Sequence, residues 1–192
     1  MSSGIRTLFI LNLIGFLLEL ALGDVVLGAL ALWPLGAGFA PWQLVTYAFL
    51  HANLSHFGFN MLGLWMFGRE LELWLGSRAL LRLYFASVLS AAAAQLLFAG
   101  LSGIVYPTVG ASGGVFGILL AYAIFFPSRI VMLLIPPIPM PARLFVILYA
   151  ALELFLGVTG SFAGVAHFAH LGGMLGAYLV IRHWRQVRRR RP

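Results

Sequence analysis

A serine beside a histidine is the smallest pair of side chains able to make and unmake an acyl bond, because the histidine takes the proton the hydroxyl must lose. This 192-residue chain carries Ser112 within Gly110-Ala111-Ser112-Gly113, and two candidate bases, His167 and His170. His56 and Asn60 are four residues apart, so on a helix they share a face. Both carry hydrogens that could meet a developing oxyanion. Taken alone, Ser112 would read as a helix N-cap and a lone histidine as a satisfied interior imidazole, so the question is whether these groups meet. Two absences narrow the chemistry. With no cysteine and no lysine there is no thiol nucleophile, thiolate metal site, Ser–Lys pair or Schiff base. No HExxH motif and no carboxylates at a metal-binding spacing occur, so no metal is expected.

Composition decides what must position these residues. Hydrophobic residues make up 62% and charged residues 9%, where soluble domains have about 45–50% and 25%; mean hydropathy is +1.01. So little polar surface cannot cover a water-facing globule, and the chain is expected to lie in a lipid bilayer. Six apolar runs, near 7–22, 54–67, 80–98, 112–126, 144–157 and 165–181, predict an all-α polytopic membrane protein with six transmembrane helices. Residues 1–192 are read as a single domain. Between the first two runs, residues 25–49 are uncharged, hold Trp33, Trp42 and Tyr47, and are broken by Pro34 and Pro41, which predicts an irregular interfacial segment. Residues 127–141 hold five prolines and cannot continue as helix.

Arginine placement sets the topology. All twelve arginines fall on one side if there are six spans with both termini cytoplasmic. Residues 183–192 then form a basic cytoplasmic tail that meets anionic headgroups and not nucleic acid. The first run is long for a signal-peptide core, and Asp24 precedes the small residues near 29–31, so it reads as a span. Without organelle-type presequence features, the Arg-rich tail fits a bacterial inner membrane, with an archaeal membrane as the alternative.

On that topology His51, His56, His167 and His170 all lie on the outward side, where the fourth span starts with Ser112. Gly113 and Gly117 form a GxxxG pair on span four, and Gly173 and Ala177 a small pair on span six. Packing those faces together would bring Ser112 and His170 within hydrogen-bond reach; His167 lies further out and lacks that seam. Donors to an oxyanion would be the Ser112 backbone N–H, His56 and Asn60, helped by the positive end of the span-four dipole. Among the acids, Glu70 and Glu72 beside Arg69 are expected to be solvated or paired at the inner surface. Glu19 and Glu153 lie deeper and are expected to make structural hydrogen bonds to neighbouring helices. No aspartate is placed to orient His170, so a dyad is expected; soluble serine proteases lose ~10⁴ when that aspartate is removed, which predicts slow turnover.

These motifs resemble the rhomboid intramembrane serine proteases over nearly the whole chain. His51-Ala52-Asn53-Leu54-Ser55-His56-Phe57-Gly58-Phe59-Asn60 is similar to the family's second-helix motif, Gly110-Ala111-Ser112-Gly113 to its GxSG, and Ala169-His170-Leu171-Gly172-Gly173 to its sixth-helix histidine and glycine. The resemblance implies a six-helix rhomboid-like bundle, a catalytic Ser112–His170 dyad and an oxyanion hole including His56, Asn60 and Ser112. His51, Gly110, Gly113, Phe116 and Gly173 would support it. It also implies cleavage of transmembrane protein substrates near their outer ends, with no metal or cofactor. Phe116 stands where many members carry a tyrosine against the histidine, and Trp42-Gln43 where members often have Trp-Arg. Two rival readings compete. A catalytically silent rhomboid-like protein that binds client transmembrane helices would need neither Ser112 nor His170. A transporter would continue its polar path through the inner halves of the spans, but 61–67, 118–126 and 176–181 are nearly pure hydrocarbon.

Overall fold

The computed structural model describes residues 3–103, 105–132, 137–161 and 164–189. Residues 190–192 of the basic tail and 133–136 of the proline-rich segment lie outside the described residues. In chain order the elements are α1 (Ser3–Leu22), α2 (Asp24–Leu30), α3 (Gln43–Thr46), α4 (Leu54–Gly63), α5 (Arg69–Leu75), α6 (Ser77–Ser102) and α7 (Ser112–Phe125). There follow β1 (Ile130–Met132), β2 (Pro139–Pro141), α8 (Ala142–Thr159) and α9 (His167–Arg189). Among the described residues, α1, α6 and α8 are long and apolar enough to cross a membrane, and α7 is a shorter apolar helix. Large apolar side chains such as Leu73, Leu97, Leu101 and Val158 point outward, a surface that hydrocarbon tolerates and water does not. The protein is an all-α, polytopic membrane bundle.

α7 is the central helix, with Gly113 to Leu119 and Ala121 to Ala123 all buried. Its small residues permit this. A Cβ on Gly173 of α9 would sit 2.7 Å from the Gly113 carbonyl carbon and nearer still to its oxygen. A Cβ on Gly117 would meet Ser87 of α6, 2.5 Å from its Cβ. The next residues on α9 face α6: a Cβ on Gly176 would lie 2.7 Å from the Ala86 carbonyl oxygen, and one on Gly172 2.8 Å from that of Ser90. α6, α7 and α9 thus touch backbone to backbone, the packing that glycine makes available in a membrane.

Two stretches are more ordered than their composition suggests. The first, 25–49, contains α2, α3 and a 3₁₀ turn at Tyr47–Phe49, since short helices satisfy backbone groups that lipid would leave unpaired. Gln43, 1% exposed, is its anchor. Its Oε1 accepts from the backbone N–H of Trp33 (3.2 Å) and Ala40 (3.1 Å), and its Nε2 donates to the Gly38 carbonyl (3.3 Å). In the second, 127–141, the described residues pair as antiparallel strands β1 and β2, with Val131 opposite Met140 and prolines 139 and 141 opposite Met132 and Ile130. Ala142 N–H donates to the Arg129 carbonyl at 2.7 Å. Hydrogen-bonded and non-bonded pairs alternate in an antiparallel ladder, so the prolines fall at positions where no N–H is required.

α4 runs on through a π-type turn at Leu64–Gly68 into α5. Gly63 and Gly68 bracket it, where added Cβ atoms would come 2.7 Å from Val115 Cγ1 and 2.5 Å from Ile5 Cδ1. Beyond the turn, Glu70 pairs with Arg129 (3.0 Å) and accepts from the Tyr122 hydroxyl (2.8 Å). Glu72 corrects the expectation of a solvated or surface-paired acid. It is 2% exposed, and its carboxylate accepts from the Gly4 and Ile5 N–H groups at 2.6 and 3.0 Å and from Ser77 Oγ. Those amides are orphan donors at the positive end of α1, where a carboxylate is most stabilising. Glu72→Ala is expected to cost about 3 kcal/mol, since hydrogen bonds to charged groups contribute ~1.5–3 kcal/mol each. The check is thermal unfolding in detergent, and an unchanged midpoint would refute the capping role.

Candidate active site

Ser112 is the first residue of α7 and follows Gly110, whose φ of +133° suits glycine. The approach to it is held by backbone pairing: Leu32 and Thr108 exchange two N–H···O bonds of 2.9 Å, and Gly110 N–H donates to the Tyr47 carbonyl at 3.0 Å. The Tyr47 hydroxyl in turn donates to the Val88 carbonyl of α6 at 2.8 Å. The short helices of 25–49 therefore brace the segment that presents the serine.

Ser112 is not an N-cap. Ala111 occupies that position, and Ser112 Oγ lies 2.8 Å from His170 Nε2 across the α7–α9 seam. Phe116, one turn along α7, stacks on the His170 ring at 4.2 Å with an 8° interplanar angle, and Tyr149 of α8 lies behind it at 5.1 Å. The missing tyrosine hydroxyl leaves the stacking intact, because a ring face is all that contact uses.

His56 lies beside this pair. A Cβ on Gly110 would come 2.8 Å from both His56 Nε2 and Cε1, and 3.5 Å from Ser112 Oγ. Gly110 thus leaves the space that the imidazole fills. Asn53 caps α4, accepting from the His56 N–H at 2.8 Å. Asn60 is 5% exposed, and its Nδ2 donates to the His56 carbonyl at 2.9 Å. That leaves one amide hydrogen of its two. His51 is 1% exposed, with its ring against Phe16, Phe57 and His56, and neither ring nitrogen has a hydrogen-bond partner among the described residues. Its backbone N–H donates to Glu19 Oε2 at 2.7 Å, so the structural hydrogen bond of Glu19 goes to the loop before α4 and not, as expected, to a neighbouring helix.

Glu153 makes the hydrogen bond to a neighbouring helix expected of it, but its partners are the two histidines of α9. Its Oε2 lies 2.9 Å from His170 Nδ1 and 2.6 Å from His167 Nδ1, with all three residues buried. His170 therefore has a carboxylate at its far nitrogen, supplied by a glutamate on α8 where only an aspartate was considered. Ligand-type atoms of Glu153, His167 and His170 lie within 4.8 Å of one another. Zinc held at ~2.0–2.1 Å would keep its ligand atoms about 3.3 Å apart, so contacts of 2.6 and 2.9 Å describe hydrogen bonds. A cavity of about 340 Å³ opens against His56 and His167, lined also by Gln95, Tyr106, Ser161 and Ala52. Gln95 is 5% exposed and its Oε1 has no partner among the described residues; its place in the third apolar run gave no reason to single it out.

Comparison with known proteins agrees with the resemblance carried by the motifs. A family model described as the Rhomboid domain matches residues 38–185. Among curated relatives, Rhomboid protein 1, mitochondrial, of Saccharomyces cerevisiae is 32% identical over 135 residues, 69% of this chain and 39% of that protein. Rhomboid protease GluP of Bacillus subtilis is 30% identical over 137 residues, 71% of this chain and 25% of that protein. Rhomboid protease GlpG of Yersinia pestis is 34% identical over 102 residues, 50% of this chain and 37% of that protein. The chain thus spans well under half the length of each of these relatives. With the family model covering α3 to most of α9, this chain belongs to the rhomboid family of multi-pass membrane proteins.

Proposed function

We propose that the chain is an intramembrane serine endopeptidase in which Ser112 is the nucleophile and His170 its base. The observation that carries this reading is the 2.8 Å contact between Ser112 Oγ and His170 Nε2 at the start of α7, in a family whose compared members include named proteases. A substrate helix enters laterally and unwinds at its outer end to present an extended backbone. Ser112 Oγ attacks the scissile carbonyl carbon while His170 Nε2 takes its proton. The oxyanion is held by the Ser112 N–H, His56 and the free amide hydrogen of Asn60. As the C–N bond breaks, His170 returns the proton to the leaving amine. A water molecule then attacks the acyl-enzyme, giving up a proton to His170, which returns it to Ser112 Oγ as the acyl C–O bond breaks and the new carboxyl end is released.

Substrates with small residues at the scissile bond and weak helix formers beside it are favoured, because unwinding a helix in lipid exposes unpaired backbone. Six spans in one domain over 1–192, both termini and the 183–192 tail cytoplasmic, and a site opening to the periplasmic side of an inner membrane complete the proposal. The one-sided distribution of arginine supports that orientation.

The test is labelling of the purified chain by a mechanism-based serine-hydrolase probe, beside His170→Ala and His167→Ala. Labelling abolished only by the His170 change supports the assignment, and loss only in the His167 variant makes His167 the base. Wild type that stays unlabelled beside an active rhomboid control favours the client-binding alternative. A separate expectation concerns the donors. Replacing one oxyanion donor costs ~10²–10³ in kcat, so His56→Ala and Asn60→Ala should each lose that much, with KM nearly unchanged. Two variants within about threefold of wild-type kcat would remove both from the oxyanion site.

A further inference from the structure

Glu153 lies on α8, 17 residues before His170, and its Oε2 meets both His170 Nδ1 (2.9 Å) and His167 Nδ1 (2.6 Å). A carboxylate only accepts hydrogen bonds, so each of these contacts is made by an N–H. For His170 this has a chemical consequence. With the hydrogen held on Nδ1, Nε2 carries the lone pair, and that nitrogen faces Ser112 Oγ at 2.8 Å. The hydroxyl is then the donor in that contact, which is the arrangement a general base requires. The ring is fixed at three points: the carboxylate at one edge, the serine at the other, and Phe116 stacked on its face. When Nε2 takes the serine proton, the imidazolium forms against a negative charge inside a packed helix bundle, where low dielectric strengthens that attraction.

We propose that Glu153 is a positioning residue for the reaction, completing a Ser112–His170–Glu153 relay, with His167 holding the shared carboxylate oxygen in place. This rests on the protease reading above. His167 suits the supporting part because its Nδ1–H lies 2.6 Å from the same carboxylate oxygen that faces His170. A purely structural hydrogen bond between α8 and α9 would need no such alignment with the serine, and one histidine would satisfy it.

The experiment compares wild type, Glu153→Gln and Ser112→Ala, reconstituted with a fluorogenic transmembrane peptide bearing small residues near its outer end. Active sites are counted by exhaustive reaction with the serine-hydrolase probe. Glutamine keeps the shape but offers an N–H₂ toward Nδ1, which favours the wrong tautomer. Kcat per labelled site should fall by up to ~10⁴-fold, the loss seen when the triad carboxylate of soluble proteases is made an amide, while KM stays within about threefold. A Glu153→Gln enzyme with wild-type kcat per site and only fewer folded molecules overturns the proposal, since a structural role lowers the number of sites and not their rate.

Should that variant fail to fold, ¹⁵N spectra of histidine-labelled wild type decide the matter. The resonances missing from His170→Ala must report hydrogen on Nδ1, and hydrogen on Nε2 with a bare Nδ1 overturns the proposal. The two readings fail differently. A wild type that neither labels nor cleaves removes the protease assignment, whereas Glu153→Gln matching an active wild type removes this one alone.

Discussion

Ser112→Ala should abolish cleavage of a reconstituted transmembrane substrate, lowering kcat by ~10⁶ as removal of the nucleophile does in a soluble serine protease. The expectation follows from how little else could replace the hydroxyl. The chain has no cysteine and no lysine, and among the described residues the oxygen facing His170 Nε2 is Ser112 Oγ. Stability should barely change, because the substitution removes one half-buried hydroxyl whose net hydrogen-bond contribution is about 1 kcal/mol. The decisive measurement is therefore a pair: product release per folded molecule, and thermal unfolding in the same detergent. Retained cleavage at a tenth of the wild-type rate or more would mean that another group attacks the peptide. A collapse in stability would mean that the loss of activity says nothing about chemistry.

Gly173→Val should be the most damaging change away from the reacting atoms. Its Cβ would come 2.7 Å from the Gly113 carbonyl carbon, and a backbone carbonyl inside α7 cannot step aside as a flexible side chain would. Overpacking ordinarily costs ~1–3 kcal/mol and occasionally more; with backbone against backbone, about 3 kcal/mol or more is expected here. The only relief is separation of α7 from α9, which also parts Ser112 from His170. Unfolding in detergent and probe labelling should thus fail together. Gly100→Ala is the matching control, since nothing lies within 4 Å of its added Cβ. If Gly173→Val unfolds at the wild-type temperature, the close approach of the two helices is wrong.

Much of this was legible in the sequence because the relevant signals are one-dimensional. Apolar runs separated by arginine and proline mark out the helices, and the small residues Gly113, Gly117 and Gly173 mark the close seams, although a Cβ on Gly113 or Gly117 would meet Ala91 or Ser87 of α6 before it met α9. The rest depends on facts that no spacing records. Glu153 reaches His170 only because α8 is rotated to point it at α9; a lone acid in an apolar run carries no label for its rotation. Glu72 is similar, since its partners are backbone amides at the far end of the sequence, and backbone donors leave no mark in residue types. The partial helicity of 25–49 was hidden by its prolines and tryptophans, which favour irregular structure locally while the need to pair backbone groups favours helix. Gln43 shows the complementary point: it departs from the family pattern, yet its amide supplies both acceptor and donor to the surrounding backbone.

The π-type turn at Leu64–Gly68 acts as a phase shifter. An α-helix advances about 100° per residue, so one extra residue accommodated in a widened turn offsets everything beyond it by nearly a third of a revolution. Upstream of the offset, α4 directs His56 into the space beside Gly110 and the serine; downstream, α5 directs Glu72 at the first turn of α1 and Glu70 at Tyr122 and Arg129. The two sets of side chains obey separate clocks along one continuous rod, and the glycines at 63 and 68 are the places where the change of timing is accommodated.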